Sequence, residues 1–127
     1  MFQFEKIKLI IWDLDDTFWN GTISEGSVTI PEINRGLLGQ LTDIGIVNSI
    51  CSKNDYEPTM AYLETCGLAD YFVFASINWN PKGQRVKQLI EDMQLRAENV
   101  LFLDDNPSNL AEVSHCCAKH RDIGFRE

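Results

Sequence analysis

Long hydrophobic segments are absent from this sequence. Its longest uninterrupted apolar runs, such as residues 9–12 and 71–75, contain four or five residues, whereas a membrane-spanning helix needs roughly 20. Charged residues at positions 5, 6 and 8 interrupt the N-terminal region, so no signal peptide is readable there. Cysteine is also scarce, and four cysteines in 127 residues do not make a disulfide scaffold. We therefore expect a reduced, cytoplasmic protein.

Basic residues are outnumbered by acidic ones. The chain has 11 Lys and Arg residues against 19 Asp and Glu residues, which gives a formal net charge of −8. This balance repels phosphate backbones and anionic lipid surfaces, so it argues against nucleic-acid or membrane binding by bulk charge. The same balance suits a protein that binds a divalent cation through clustered carboxylates. A hydrophobic fraction of 44% and a length of 127 residues predict a single globular domain.

Predicted strands alternate with predicted helices along the chain. Apolar runs predict strands at residues 7–12, 46–51, 71–75 and 100–103. Proline, glycine and apolar spacing predict helices that begin near Pro31, Glu57, Lys82 and Pro107. The first helix has an apolar stripe of Ile33, Leu37, Leu38, Leu41 and Ile44. This alternation specifies an α/β fold, a doubly wound parallel sheet with helices on both faces.

Two shorter segments complete this prediction. Residues 20–27 are rich in turn-forming residues and are expected to form a small β-hairpin. Residues 118–127, after the last helix, have room for one further short strand.

Acidic side chains follow the first and fourth predicted strands. Residues 13–17 (DLDDT) follow the first strand, and Asp104-Asp105 follows the fourth. In a doubly wound sheet the ligand lies beyond the carboxyl ends of the strands. Carboxylates brought together there repel one another unless a cation offsets their charge, and Mg²⁺ prefers such oxygen ligands. The alternative is a set of solvated turn residues, but two clusters at corresponding strand ends favour the metal site.

Four motifs occur in order along the chain: Asp13-x-Asp15-x-Thr17, then Ser52 at the end of a strand, then Lys82, then Asp104-Asp105. This order resembles the haloacid dehalogenase (HAD) superfamily. The details are most similar to its capless FkbH-like domains, or subfamily IIIC. The stretches that carry this similarity are 13–21 (DLDDTFWNG), 51–54 (CSKN), 78–82 (NWNPK) and 102–107 (FLDDNP). The resemblance implies a Rossmann-like HAD core over residues 1–127, a three-layer α/β/α unit without a cap domain.

The resemblance also implies catalytic roles. Asp13 is expected to be the nucleophile that becomes an aspartyl-phosphate, and Asp15 the acid and base for the leaving group and the water. Lys82 is expected to pair with the phosphoryl group and with Asp13. A carboxylate that attacks a phosphoryl group must overcome repulsion between anions, so Mg²⁺ and a lysine are needed to spread the charge.

Binding roles follow in the same way. The residues expected to bind the substrate phosphate are Ser52, Lys53 and Asn54, with Lys53 the rival of Lys82 as the phosphate lysine. The residues expected at the Mg²⁺ are Asp13, Asp15, Asp104 and Asp105. In the family the backbone carbonyl of Asp15 binds the metal. Asp104 is expected to be the side-chain ligand from the fourth strand, and Asp105 is either a ligand through water or the residue that orients Lys82.

Simpler interpretations stay open for several of these residues. Ser52 could cap the helix that follows it, and Lys82 could be a solvated lysine, although a lysine in the first turn opposes the helix dipole. Trp19 and Trp79 could line the substrate entrance, or they could pack under the short flap that lies within residues 17–31. A zinc site is disfavoured, because the candidate ligands match no standard spacing. Those candidates are His115, Cys116, Cys117 and His120.

The spacing of the motifs bears on the substrate. Residues 17–31 hold only a short flap, and residues 52–82 hold one helix and one strand, so neither interval accommodates a cap domain. An open site suits a large phosphorylated substrate, such as a phosphoprotein or a carrier-bound group, or a site closed by a partner subunit. The resemblance thus implies a Mg²⁺-dependent phosphatase. The alternatives are an FkbH-like domain that loads a phosphorylated three-carbon acid onto an acyl-carrier protein, and a non-catalytic interaction module.

Two further expectations concern the fold family and the chain end. A response-regulator receiver domain shares the sheet and the aspartyl-phosphate chemistry, but it carries the phosphorylated aspartate on a later strand, so Asp-x-Asp on the first strand favours the HAD assignment. HAD cores commonly continue with another strand and helix, so a core truncated at its C-terminus is compatible with the sequence.

Overall fold

A five-stranded parallel sheet forms the centre of the molecule. The computed structural model describes residues 4–117 and 124–126, and the strand order is β3-β2-β1-β4-β5. The strands are β1 (Leu9–Trp12), β2 (Val47–Ser52), β3 (Ser76–Ile77), β4 (Val100–Leu103) and β5 (Gly124–Arg126). The helices are α1 (Glu32–Asp43), α2 (Tyr56–Thr65), α3 (Lys82–Asp92) and α4 (Pro107–Cys116). Single 3₁₀ turns lie at Phe4–Lys6, Ile23–Glu25, Ala69–Tyr71 and Ala97–Asn99.

Both faces of the sheet are covered, as the uninterrupted apolar run in β1 predicts. Ile10 and Trp12 point into one core cluster, which also contains Leu38 from α1 and Leu63 from α2. Leu9 and Ile11 point into the other, which contains apolar residues of α3 and α4. Successive strand residues face opposite sides of a sheet, so the central strand contributes to both clusters. The three-layer α/β/α fold and the absence of a cap domain within the described residues are thereby confirmed.

Local signals in the sequence position the helices. Asn106 caps α4 by accepting a hydrogen bond from the Ser108 amide at 2.8 Å, with Pro107 in the first turn. At the end of α2, Gly67 has a φ of +74°, which favours glycine. No described helix combines the length and apolar character that crossing a membrane requires.

The third predicted strand is wrong. Residues 71–75 do not form a strand, because Phe74 has a φ of +50°, a left-handed conformation that interrupts extended pairing. Before that break only one bridge forms, between Phe72 and Asn48. The strand β3 begins after it, at Ser76, and contains two residues.

Three smaller expectations have mixed outcomes. Of the predicted apolar stripe on α1, Leu38 and Leu41 are buried, but Ile33 and Ile44 are 73% and 69% exposed. The predicted hairpin is reduced to one antiparallel bridge between Asn20 and Thr29, around the 3₁₀ turn. At the C-terminus, β5 pairs with β4 as a short parallel strand, while residues 118–123, including His120 of the disfavoured zinc set, lie outside the described residues.

Candidate active site

The carboxyl ends of three neighbouring strands meet at one edge of the sheet. Trp12 in β1 is paired with Leu103 in β4 on one side and with Ile50 in β2 on the other. The residues that follow Trp12 and Leu103 are Asp13 and Asp104, so the sheet register brings these two acids side by side. The parallel register explains why motifs far apart in the chain converge here.

Lys82 lies between these two carboxylates. Its Nζ donates to Asp13 Oδ1 at 2.8 Å and to Asp104 Oδ2 at 2.7 Å, and the side chain is 1% exposed. Asn109 Nδ2 also donates to Asp104 Oδ2, at 3.1 Å, and the Asn106 amide donates to Asp104 Oδ1 at 2.9 Å. We call Asp13, Lys82, Asp104 and Asn109 the lysine cluster. Because Lys82 is buried and paired, it is not a solvated first-turn lysine.

The lysine cluster leaves a buried negative charge uncompensated. Burial raises the pKa of the Asp13 carboxyl to about 7, although the neighbouring Lys82 ammonium opposes this shift and Asp104 adds to it. Burial acts to lower the pKa of Lys82, but the two adjacent carboxylates outweigh it and hold that pKa above its ordinary value. Two carboxylates thus face one ammonium, and an additional cation would favour the ionised form of Asp13.

A group of carboxylate oxygens suited to such a cation is present. Side-chain oxygens of Asp13, Asp104 and Asp105 all lie within 4.8 Å of one another. Thr17 Oγ1 lies 3.2 Å from Asp13 Oδ2 and 3.1 Å from Asp105 Oδ1, and it accepts a hydrogen bond from the Asp105 amide at 3.0 Å. An all-oxygen donor set of this kind fits a hard divalent ion such as Mg²⁺. The Asp15 carboxylate does not belong to this group.

The two acids that follow β4 differ in their contacts with Lys82. Asp104 belongs to the oxygen group above and also bonds to Lys82, and both of its oxygens accept hydrogen bonds. Asp105 is exposed and makes no ion pair with Lys82. Of the two acids, Lys82 therefore bonds to Asp104 and not to Asp105, which differs from the alternative in which Asp105 orients this lysine. Asp104 is fully buried, whereas Asp105 is exposed and its Oδ1 lies 3.1 Å from Thr17 Oγ1.

Asp15 points towards the flap, by which we mean residues 20–29. Its Oδ1 accepts hydrogen bonds from Trp19 Nε1 at 2.9 Å and from the Ile23 amide at 3.0 Å. Its Oδ2 accepts from Asn54 Nδ2 at 3.2 Å. Three neutral donors therefore hold this carboxylate, and no cationic side chain pairs with it among the described residues.

The end of β2 contributes a buried polar pair. Ser52 is fully buried, and its Oγ accepts a hydrogen bond from Asn54 Nδ2 at 2.8 Å. Asn54 is 2% exposed and connects Ser52 to Asp15. The helix α2 begins after Asp55, and within the described contacts Ser52 Oγ does not bond to its amides, so the capping alternative lacks support. Lys53 is half-buried and makes no ion pair with a described residue.

The two tryptophans have different environments. Trp19 is fully buried and packs edge-on against Tyr62 with ring centroids 5.5 Å apart, so it packs under the flap. Trp79 is 61% exposed, and its Nε1 donates to Asp55 Oδ1 at 2.8 Å. Of these two tryptophans, Trp79 is the one exposed enough to contact a ligand from solution.

Arg85 is a site residue that the sequence reasoning missed. Its guanidinium donates to the backbone carbonyls of Ser52 at 2.7 Å, Ser76 at 2.7 Å and Asn80 at 2.8 Å. It thereby joins the ends of β2 and β3 to the loop that leads to Lys82. The available signal was its position three residues after Lys82, on the same face of α3. Asn109 was also missed, and its position in the first turn of α4 is the corresponding signal.

Comparison with known proteins identifies the class of fold. No protein-family model matches the chain, and no curated protein matches it in sequence. Solved structures do match. The N-terminal part of a Bacteroides fragilis protein, containing a phosphatase domain complexed with Mg, aligns with a TM-score of 0.83 and 21% identity over 95% of this chain and 36% of that chain.

Two further structures have the same fold. The 3-deoxy-D-manno-octulosonate 8-phosphate phosphatase of Moraxella catarrhalis, in complex with a magnesium ion, a phosphate ion and a KDO molecule, has a TM-score of 0.67 and 20% identity, covering 94% of this chain and 66% of that chain. A HAD-superfamily hydrolase of subfamily IA from Geobacter sulfurreducens has a TM-score of 0.69 and 14% identity, covering 94% and 88%. The chain therefore has the Rossmann-like fold of HAD phosphatases, and it spans about a third of the Bacteroides fragilis protein.

Proposed function

We propose that this chain is a Mg²⁺-dependent phosphatase core that hydrolyses phosphate monoesters through an aspartyl-phosphate on Asp13. The observation that carries the proposal is the buried lysine between two carboxylates, beside an oxygen cluster fit for a divalent ion. Placing two carboxylates and an ammonium in a buried site costs several kcal/mol of desolvation. A packing role alone would be filled more favourably by apolar side chains, so the charges favour a catalytic role.

The reaction would proceed in two halves. In the first, an Asp13 carboxylate oxygen forms a bond to phosphorus as the bond from phosphorus to the leaving oxygen breaks, and Asp15 gives a proton to that oxygen. In the second, Asp15 takes a proton from water as the water oxygen attacks phosphorus and the bond to Asp13 breaks. The products are an alcohol and inorganic phosphate, and Asp13 and Asp15 return to their starting states.

The surrounding residues support these roles. Lys82 keeps its positive charge next to Asp13, because the flanking carboxylates raise its pKa, so it can stabilise negative charge on the phosphoryl oxygens. Three neutral donors orient the Asp15 carboxylate, and we assign to it the proton exchange with the leaving group and the water. Ser52 Oγ only accepts a hydrogen bond from Asn54, so its own hydroxyl hydrogen can bond a phosphoryl oxygen. Asn54 uses both of its amide hydrogens on Ser52 and Asp15 and holds these two side chains beside each other.

A metal ion would be held by side-chain oxygens of Asp13, Asp104 and Asp105, with the backbone carbonyl of Asp15 added by the family resemblance. When bound, such an ion supplies positive charge that offsets the repulsion between the Asp13 carboxylate and the phosphoryl oxygens. The raised pKa of Asp13 is the reason this charge is needed, since only the ionised carboxylate is a nucleophile.

The substrate class follows from the open site. The described chain has no cap domain, and the exposed indole of Trp79 lies at the same edge of the sheet as the acids. We infer that the substrate is a phosphorylated molecule with a bulky or macromolecular leaving group, held partly by this indole. The 3-deoxy-D-manno-octulosonate 8-phosphate phosphatases in the comparison act on a phosphorylated sugar, which supports a phosphate monoester as the reacting group.

Phosphate release from a panel of phosphate esters tests the proposal. The panel contains aryl, sugar and peptide phosphates, each with Mg²⁺ and with excess EDTA. We expect release with Mg²⁺ only, and none from the Asp13→Asn variant. The matched control is Asp16→Asn, because Asp16 is exposed and its φ of +55° suits asparagine. Release that persists after chelation, or in Asp13→Asn, would contradict the site assignment.

A further inference from the structure

The first turn of α3, which carries Lys82, is held from outside by α4. The amide of Gly83 donates a hydrogen bond to Glu112 Oε2 at 2.8 Å. The first four amides of a helix have no partner within it, and Pro81 before α3 provides no side-chain cap. Glu112 therefore supplies from a neighbouring helix the acceptor that α3 lacks, and its negative charge suits the positive end of the helix dipole.

The two helices approach closely at this point. A Cβ atom added at Gly83 would collide with Cys116 Sγ and would lie 3.1 Å from both Cγ and Oε2 of Glu112. Gly83 has a normal helical φ, so glycine is required here by the contact and not by the backbone conformation. The contact between Gly83, Glu112 and Cys116 leaves α3 little freedom to shift along α4.

This contact lies on the same face of α4 as the lysine cluster. Asn109, Glu112 and Cys116 are spaced three and four residues apart, which places them on one side of the helix. Asn109 holds Asp104 Oδ2, the atom that also accepts from Lys82, while Glu112 holds the residue after Lys82. One face of α4 therefore fixes both the carboxylate and the backbone that carries its lysine partner.

We propose that Glu112 is a positioning residue, which holds the start of α3 so that Lys82 Nζ lies between Asp13 and Asp104. The expected effect on kcat rests on the proposed function, whereas the expected effect on the position of Lys82 does not. Lys82 reaches both carboxylates at hydrogen-bond distance, so a shift of α3 by a fraction of an ångström would disturb this two-sided contact. Glu112 itself touches neither the substrate site nor the acids.

The main test compares Glu112→Ala with Glu112→Gln. Glutamine keeps an acceptor oxygen for the Gly83 amide, whereas alanine removes it. We expect Glu112→Ala to lower kcat about tenfold with KM nearly unchanged, and Glu112→Gln to retain most of kcat. The matched control is Glu91→Ala, because Glu91 is exposed near the other end of α3 and should leave kcat unchanged.

A second readout does not depend on activity. In protein labelled with ¹⁵N-lysine, the buried Lys82 ammonium should give a slowly exchanging signal, assigned by its loss in Lys82→Met. We expect that signal to shift or broaden in Glu112→Ala and to persist in Glu112→Gln and Glu91→Ala. If the wild-type chain hydrolyses no ester on the panel, the proposed function fails, and this signal still decides the role of Glu112.

A pair of substitutions tests the close approach itself. Gly83→Ala should disturb the Lys82 signal and kcat as Glu112→Ala does. Adding Cys116→Ala removes the sulfur that the new methyl group would meet, so the double variant should recover part of both, and Cys116→Ala alone should behave as wild type. The proposal is overturned if Glu112→Ala lowers only the melting temperature, with kcat and the Lys82 signal equal to those of Glu91→Ala.

Discussion

The lysine cluster and the flap each contact one acid of the segment after β1, and they hold these two acids in different ways. Asp13 is buried and bonded to the Lys82 ammonium, which also bonds to the buried Asp104. Asp15 is half-buried and accepts hydrogen bonds from the Trp19 indole, the Ile23 amide and the Asn54 side chain. Ile23 belongs to the flap, and Trp19 immediately precedes it. The first arrangement is ionic and rigid, while the second is neutral and rests on a loop with little regular structure.

This difference indicates a division of labour within the proposed reaction. A nucleophile benefits from a fixed position and from a neighbouring positive charge that stabilises the transition state. A proton donor and acceptor must change its charge twice in each cycle, which a close ion pair would oppose. We therefore expect substitutions in the two regions to affect different steps of the reaction, and by different amounts.

The largest expected effect separates the two acids. Asp13→Asn should lower kcat by at least about 10³-fold and abolish any covalent phosphoryl-enzyme, because an amide is not a nucleophile. Asp15→Asn should still form the intermediate from a substrate with a good leaving group, but should hydrolyse it slowly. Rapid quenching followed by measurement of protein-bound phosphate distinguishes the two variants. Near-wild-type turnover in Asp13→Asn would remove the nucleophile assignment.

The second effect compares the two lysines at the strand ends. Lys82→Ala should lower kcat/KM about 10²-fold, because it removes a buried charge next to Asp13. Lys53→Ala should cost less than tenfold, since Lys53 is half-buried and has no described ion partner. Steady-state kinetics on one ester gives the ratio, which should be at least about ten. Equal losses would move the phosphate-binding role to the loop after β2.

A smaller effect is expected in the flap. Trp19→Phe keeps an aromatic ring in the core but removes the indole donor to Asp15 Oδ1. Loss of one neutral hydrogen bond should reduce the hydrolysis of the intermediate by a factor of up to about ten. With a substrate whose good leaving group needs no proton from Asp15, formation of the intermediate should not change. Single-turnover kinetics separates these steps, with Asp16→Asn as the control. A loss confined to intermediate formation would mean that Trp19 serves Asp13 and not Asp15.

The smallest effect is a pH dependence of stability in EDTA. The pKa of Asp13 is about 7 in the folded chain against a reference of 3.8, so between these values the folded state binds the proton more tightly. Stability from this group is therefore present at low pH and lost as the pH rises towards 7. Asparagine does not titrate, so the melting temperature of Asp13→Asn relative to wild type should rise by a few degrees between pH 5 and 7.5. A constant difference for Asp13→Asn over this pH range would show that its carboxyl is not perturbed.

Much of the fold could be predicted from the sequence because its signals are local. Uninterrupted apolar runs mark β1 and β4 as buried on both faces, a mostly apolar run marks β2, and proline or glycine marks the helix ends. The strand at 71–75 failed because an apolar, aromatic run satisfies a strand pattern whatever its backbone conformation. The left-handed conformation of Phe74 is set by the surrounding structure and not by the residue type.

The sequence by itself determined that four candidate site acids and a serine follow or end neighbouring parallel strands and that a lysine begins the helix after another strand, because parallel register brings the carboxyl ends of strands together. Only the tertiary structure decided that Asp104 and not Asp105 holds Lys82, since adjacent residues leave a strand end in different directions. The roles of Arg85 and Glu112 also depended on it. Their contacts join residues 33 and 29 positions apart, and such pairs follow from how helices pack, which no local spacing specifies.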